Sequence, residues 1–295
     1  MTTTDPIEEP GYTRSYLGDQ HANQLARLRT LECVFDPLSK TVFEQLDLPD
    51  KPAILDLAAG AGSLAGWLAK RFPDAIVTAT DIDTRFLIDI PGIRVITHNA
   101  VTDDFPAASF DVVHARALLC HLTEREDVLT RAVSWVRPGG WLVIEDVSLQ
   151  PSLRTTNMLF RKIAQAGVTL LERSIGSDML WADTLPSRLR ARGLSKIGYR
   201  TLEGHIGDNS PADTFWAATT AQAGPALLKL GLLTQNDLDA MVNLRADPEF
   251  TDAALTLVSA WGQVPEHGLK SVMLSPHTES PVQVGCAIAQ KGIRE

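Results

Sequence analysis

The sequence has little of what several classes of protein depend on. It has 3 cysteines in 295 residues, at positions 33, 120 and 286, and no CxxC pair. So few, so widely spaced cysteines argue against a disulfide framework and against a zinc ribbon, and they suit a reducing compartment. No uncharged apolar run approaches the roughly 18 to 20 residues that a membrane-spanning helix needs. We therefore expect neither a structural metal nor a membrane span.

Positive charge is also scarce. Lys and Arg number 27 against 36 Asp and Glu, a formal net charge of −9. This balance disfavours a nucleic-acid backbone or an anionic membrane as the main partner. The opening segment, MTTTDPIEEP, is acidic and polar, unlike a signal peptide. We expect a cytoplasmic protein that acts on a small molecule.

What the sequence does contain is an alternation of strands and helices. Residues 22–34 have a helical pattern, and Asp36-Pro37 is predicted to start a second helix. From residue 53 to about residue 150, short apolar runs alternate with helical stretches, which is typical of a parallel sheet covered on both faces. The predicted strands are Ala53–Leu57, Ala75–Thr80, Ile93–Thr97, Phe110–His114 and Trp141–Val147.

The second half has a different pattern. Residues 151–192 and 211–262 are predicted to be mostly helical, with a strand over Leu194–Thr201 and a terminal strand over Val282–Ala289. Because the last predicted strand comes so late, the helical stretches are interpreted as insertions over one continuous sheet. The fold class is α/β, with a doubly wound, mostly parallel sheet.

A strand, a turn of small residues and a helix follow one another at the first strand. Ile54–Gly62 is ILDLAAGAG, and Gly60 and Gly62 lack the Cβ that would keep a ligand away from the backbone. Asp81 ends the next strand, 19 residues after Gly62. A carboxylate there can accept two hydrogen bonds from a ribose diol.

Two cofactors could use this arrangement. A dinucleotide site needs G-x-G-x-x-G, but Ala65 stands at the third glycine position, and Asp56 would repel a diphosphate. Asp56 suits the sulfonium and ammonium of S-adenosylmethionine instead. An NAD-dependent oxidoreductase is kept as the weaker alternative.

Four segments in order then resemble a known family. ILDLAAGAG, ATDID, ASFDVVHARALLCHL and VRPGGWLVIED are similar to motifs of the class I S-adenosylmethionine-dependent methyltransferases, in particular the small-molecule, ubiquinone/menaquinone-type branch. The resemblance implies a seven-stranded Rossmann-like fold. It also implies an N-terminal helical lid (1–50), a cofactor-binding core (51–150) and the rest of the sheet with substrate-cap insertions (151–295). Ala58 departs from the motif, because many members have glycine there.

The resemblance also implies roles for single residues. Asp81 would hold the ribose hydroxyls, Ile82 would flank the adenine, Asn99 would accept from the adenine amino group, and Tyr16 would fold over the methionine carboxylate. The implied cofactor-binding residues are Tyr16, Asp56, Ala58, Gly60, Gly62, Asp81, Ile82, Asn99, Ala100, Ala115 and Arg116.

Methyl transfer needs alignment and the exclusion of water more than a catalytic dyad, because the sulfonium already carries the leaving group. His121 is the candidate general base, and His114 is interpreted as a packed residue. The candidate substrate-binding residues are Asp146, Trp181, His205 and Trp216. The predicted function is methyl transfer to a small apolar or aromatic, secondary-metabolite-like acceptor. A cyclase or a binding module using the same cofactor is the alternative, and the N-terminal helices could also form a homodimer contact.

Overall fold

A computed structural model describes residues 24–268, which form one seven-stranded sheet flanked by helices. The strands are β1 Ala53–Leu57, β2 Ile76–Asp81, β3 Ile93–Thr97, β4 Phe110–Arg116, β5 Val136–Ser148, β6 Ser195–Ile206 and β7 Asp252–Gln263. The helices are α1 Gln24–Glu44, α2 Ser63–Arg71, α3 Arg125–Trp135, α4 Gln150–Arg154, α5 Met158–Ile175, α6 Leu185–Ala191, α7 Pro211–Lys229 and α8 Gln235–Ala246.

The strand order is β3-β2-β1-β4-β5-β7-β6. The pairs among β1 to β5 are parallel, and β7 runs antiparallel to both β5 and β6. The prediction of a doubly wound, mostly parallel sheet of seven strands is therefore confirmed. The strand order reverses between β1 and β4, and in such sheets ligands bind at this point, beyond the carboxyl ends of the strands.

Apolar side chains cover both faces of the central strands, as a parallel sheet requires. On one face Ile54 of β1 and Val112 of β4 pack with α1 and α2. On the other face Leu55 of β1 and Val113 of β4 pack with α3 and α6. A third cluster joins α5, α7 and α8 to the start of β7 and forms a helical layer above the carboxyl edge.

The seventh strand lies where the sequence predicted helix. All of Asp252–Gln263 except its last residue falls within residues 211–262, and the helical prediction was wrong for this segment. Its run of Ala, Leu, Val and Trp is compatible with a helix or with a buried strand. The segment forms a strand because it pairs with β5 on one side and with β6 on the other. The predicted strand Val282–Ala289 lies outside the described residues.

Helix α1 is continuous through Pro37, so the predicted restart at Asp36-Pro37 was also wrong. The helix packs on α2 and α7 and covers the carboxyl ends of the strands. Proline removes one helical hydrogen bond, and packing on both sides of Pro37 compensates: Phe35 and Val42 are fully buried. Between residues 24 and 268, no helix is both long and apolar enough to cross a membrane.

Candidate active site

A cavity of about 600 Å³ opens at the carboxyl ends of β1, β2, β3 and β4, beneath α1, and continues under α5 and α7. We call the part against the strand ends the cofactor half, because it contains most of the predicted cofactor residues. The part under α5 and α7 is the acceptor half. Of the predicted residues, the cavity lining includes Asp56, Ala58, Gly60, Asp81, Ile82, Asn99, Ala100, Arg116, His121 and Trp216.

The turn after β1 shapes the floor of the cofactor half. Ala58 has φ 58° and Gly60 has φ 60°. The left-handed conformation costs a non-glycine residue about 1–2 kcal/mol, so Ala58 is strained where the related motif has glycine. Gly62 (φ 78°) lies outside the cavity lining, and a Cβ there would be 2.2 Å from Ile90 Cδ1. Gly62 is thus needed for packing of the turn.

Asp81 is held at the end of β2 by backbone amides. The Gly60 N–H donates to its Oδ2 at 2.9 Å, and the Asp83 N–H donates to its Oδ1 at 3.0 Å. Burial raises the pKa of this carboxyl, and the two amides oppose that rise. Each carboxylate oxygen keeps a second acceptor position, so the chemistry of this group fits a ribose diol.

The far side of the cofactor half is formed by residues that follow β2 and β3. Ile82 is 45% exposed beside Asp81, and Ala100 is buried. The Asn99 amide oxygen accepts the Val101 N–H at 2.9 Å, so one of its two acceptor positions is already used. These residues form a rim with apolar and amide groups, as an adenine ring would require.

A buried histidine lies directly behind the floor. His114 Nδ1 is 2.7 Å from Asp56 Oδ1, and His114 Nε2 is 3.3 Å from Glu145 Oε2. Burial lowers the pKa of His114, but the two carboxylates outweigh it and raise the pKa to about 9. Both ring nitrogens can donate only in the imidazolium, so His114 is charged at neutral pH.

The interpretation of His114 as a packed residue missed this role. The signal was in the register: β1 and β4 align Asp56 with His114, and β4 and β5 align Arg116 with Glu145. Side chains two residues apart on a strand share a face, so His114 and Arg116 lie on the same face of β4. The carboxylates of Asp56 and Glu145 therefore meet the His114 imidazole on that face. The Glu145 carboxylate also accepts hydrogen bonds from two hydroxyls, those of Ser39 of α1 and Ser259 of β7.

Two acids from α1 close the amino end of α2. Glu32 Oε1 accepts the Ser63 N–H at 3.0 Å, and Asp36 Oδ1 accepts the Ser63 hydroxyl at 2.9 Å. Arg116 also donates to Asp36, at 3.0 Å. Acids at a helix amino terminus are favourable. They occupy the place where a dinucleotide diphosphate would bind, which argues against that cofactor.

The acceptor half is apolar. An added Cβ at Gly167 of α5 would meet nothing within 4 Å, so this wall has free space in front of it. Trp216 of α7 separates the cavity from a second hollow of about 390 Å³ between α7 and α8, and Thr220 also lines both spaces. The apolar residues of this half include Leu31, Val147, Leu149, Ile163, Ala164, Leu171, Met179, Phe215, Leu227 and Leu255.

His121 lies in the cavity lining, at the end of a short turn of 3-10 helix. Its Nδ1 is 2.9 Å from the Ser177 hydroxyl. Burial, followed by the charges of Arg27 and Arg125, lowers the pKa of His121 to about 4. The imidazole is therefore neutral at pH 7 and only weakly basic, because burial and the two arginines oppose its protonation.

The structure does not bring Asp146 and Ala115 to the cavity, because each lies next to a cavity-side residue and neighbouring strand residues face opposite ways. Asp146 Oδ2 accepts the Cys120 N–H at 3.1 Å on the other face, where burial raises its pKa to about 7. Ala115 packs in the core of that face.

Two further candidates lie elsewhere. Trp181 is buried in the same core, with its indole N–H 3.3 Å from Glu126 Oε1. His205 lies on β6, the edge strand, and pairs with Glu203 at 3.2 Å. Tyr16 lies outside the described residues.

Comparisons with known proteins agree with this geometry. A family described as "Methyltransferase domain" matches residues 55–144. Methyltransferase str2 of Strobilurus tenacellus is 34% identical over 183 residues, covering 59% of this chain and 66% of that protein. Methyltransferase str3 of the same organism is 40% identical over 104 residues, covering 35% and 38%. The matched segments thus span less than two thirds of either relative.

Among solved structures, phosphoethanolamine N-methyltransferase 2 of Haemonchus contortus, in complex with phosphomonomethylethanolamine and S-adenosylhomocysteine, shares the fold. Its TM-score is 0.53 at 15% identity, covering 86% of this chain and 58% of that one. The family match and the sequence relatives thus show a methyltransferase domain of the class I, S-adenosylmethionine-dependent type over residues 55–144, and the solved structure shares its fold. S-adenosylmethionine is the cofactor of this family, and Asp56 and Asp81 fit it.

Proposed function

We propose that the protein transfers the methyl group of S-adenosylmethionine to a small apolar or aromatic acceptor of secondary-metabolite type. One observation carries the proposal: a single cavity joins an acidic cofactor half to an apolar acceptor half. A polar cofactor and a hydrophobic acceptor can therefore lie end to end in one space, as an in-line displacement requires.

In the cofactor half, Asp81 binds the ribose hydroxyls, and Asp56 faces the positively charged methionine end. Bound S-adenosylmethionine supplies a methyl group already attached to a positively charged leaving group. The chain's own residues orient the acceptor and exclude water, because α1, α5 and α7 enclose the cavity.

His121 is the general base in this proposal. Its imidazole is neutral at pH 7 and lies in the cavity lining, and Ser177 fixes the ring through Nδ1. It accepts the proton of an acceptor hydroxyl as the bond to carbon forms, because that hydroxyl becomes strongly acidic when its oxygen is methylated. Among the proposed substrate contacts, Trp216 lies in the acceptor half.

Three other functions can be distinguished from methyl transfer: those of a cyclase, a binding module and an oxidoreductase. A cyclase or a binding module would use the same cofactor half without producing S-adenosylhomocysteine. An NAD-dependent oxidoreductase would need a diphosphate at the amino end of α2, where Glu32 and Asp36 already lie.

The test begins with calorimetric titration of the purified protein with S-adenosylmethionine, S-adenosylhomocysteine and NAD. We expect micromolar binding of the first two and none of NAD. Incubation with deuteromethyl S-adenosylmethionine and a panel of phenols and quinols then tests transfer by mass spectrometry. Binding of NAD alone would overturn the proposal, and cofactor binding without S-adenosylhomocysteine production from any acceptor would favour the cyclase or the binding module.

The proposal includes a cytoplasmic location, a small-molecule partner and a homodimer built through the N-terminal helices. The low cysteine content and the net charge of −9 support the first two. Light scattering on the purified full chain tests the third, because a monomer at micromolar concentration would contradict it.

A further inference from the structure

The buried group of Asp56, His114 and Glu145 has two negative charges and one positive charge. His114 is enclosed by Asp56 of β1, Glu145 of β5 and the ring of Phe43 of α1, whose centroid is 5.5 Å from the imidazole. Asp56 and Glu145 are 3% and 0% exposed. With both histidine nitrogens facing carboxylate oxygens, the group has a net charge of −1.

The nearest guanidinium, that of Arg116, is paired with a different carboxylate. Arg116 donates to the Ser39 hydroxyl at 2.9 Å, and its own charge is matched by Asp36 at 3.0 Å. Lys40 is 3.1 Å from the other oxygen of Asp36 and is one-third exposed, so solvent screens it. The group of Asp56, His114 and Glu145 therefore contributes a charge of −1 beside the cofactor half, in a cavity whose lining also includes Arg27, Glu32 and Asp81.

This charge matters because the cofactor and its product differ in charge. S-adenosylmethionine has a sulfonium, an ammonium and a carboxylate, a net charge of +1. S-adenosylhomocysteine has lost the sulfonium charge with the methyl group and is neutral overall. A fixed charge of −1 in a poorly hydrated interior favours the first over the second.

We propose that Glu145, acting through His114 on Asp56, sets the preference of the site for charged S-adenosylmethionine over its neutral product. Glu145 is a positioning residue, since only Asp56 and His114 of the three line the cavity. The inference rests on the proposed cofactor function and adds how the site releases its product.

The test measures the ratio of two dissociation constants by calorimetry, for S-adenosylhomocysteine over S-adenosylmethionine. In Glu145→Gln the group becomes neutral with nearly the same shape. We expect binding of S-adenosylmethionine to weaken on the order of five- to tenfold, since a unit charge acts through an effective dielectric of about 20. Binding of S-adenosylhomocysteine should change less than about twofold on the same reasoning.

Two further variants separate charge from structure. Ser259→Ala removes the hydroxyl that donates to Glu145 Oε1 at 2.7 Å and leaves the charge, so the ratio should stay at the wild-type value. The double variant His114→Gln with Glu145→Gln leaves Asp56 alone and restores −1. Its ratio should return to the wild-type value, whether or not Glu145→Gln alone folds.

Equal weakening of both ligands in Glu145→Gln, or a double variant whose ratio differs from wild type, would overturn the inference. These outcomes are distinct from failure of the proposed function. Wild-type protein that binds neither ligand would contradict the cofactor assignment itself, before any variant is compared.

Discussion

The two halves of the cavity are built in different ways. The cofactor half consists of strand ends and the turns that follow them, with polar groups fixed by neighbouring backbone, as Gly60 and Asp83 fix Asp81. The acceptor half consists of helix faces from α5 and α7, whose side chains meet only through long-range packing. The first half is fixed by hydrogen bonds between neighbouring strand ends, whereas the second is formed by side chains on helix faces that single substitutions can change.

This difference predicts that variants will affect one half without the other. The largest effect is expected at the junction, for His121→Gln. Loss of a general base lowers turnover about 10²- to 10⁴-fold. Cofactor affinity should stay within about twofold, because the cofactor half is untouched. Turnover of a phenol or quinol that the wild type methylates is the measurement, and Ser177→Ala, which removes the hydroxyl 2.9 Å from His121 Nδ1, should have a smaller effect. If His121→Gln turned over at the wild-type rate, His121 would have a structural role and would not be the general base.

The next effect is confined to the cofactor half. Asp81→Ala should weaken binding of S-adenosylhomocysteine by about 1–3 kcal/mol, through lost charge-assisted hydrogen bonds. Asp89→Ala, an exposed acid outside the cavity lining, is the matched control and should bind normally. Calorimetry measures both, and unchanged binding by Asp81→Ala would show that the ribose assignment is wrong.

A change in the acceptor half should spare the cofactor. Gly167→Leu places a side chain in the free space before α5 and should raise the KM of a bulky phenol about tenfold, through steric conflict of roughly 1–3 kcal/mol. Gly167→Ala is the control, and it should stabilise the helix by about 0.5–1 kcal/mol. If Gly167→Leu weakened S-adenosylhomocysteine binding equally, the two halves would not be independent.

A separate effect, on stability instead of binding or turnover, concerns pH. The folded-state pKa of His114, about 9, lies above its ordinary value of 6.5. Its contribution to stability is therefore complete below pH 6.5 and is lost as the pH rises towards 9. We expect the free energy of unfolding of the wild type to decline over this window relative to the double variant His114→Gln with Glu145→Gln. Asp146 titrates in both proteins, so its effect cancels in the difference. If the free energies of unfolding of the two proteins changed with pH in the same way, His114 would be neutral in the folded wild type.

The same contrast explains what the sequence could predict. The turn after β1, Asp81 and Asn99 follow from residue types at the ends of strands, and the structure places them together at the cavity. The strand β7 and the course of α1 through Pro37 depended on partners far away in the chain, and local pattern gave the wrong element for both. Trp181 and His205 were chosen by residue type alone, and only tertiary packing shows that one lies in the core and the other at the sheet edge. His114 could have been found, because acids on both neighbouring strands align with it.

Trp216 has a consequence for how this protein could acquire new substrates. It belongs to the wall of both the main cavity and the smaller hollow between α7 and α8. Thr220 belongs to both walls as well, so shortening the indole would enlarge the space beside Thr220 while the sheet, the turn after β1 and the acids of the cofactor half stay as they are. A substitution at Trp216 is thus one route by which the space under α5 and α7 could change in volume without any change to the scaffold.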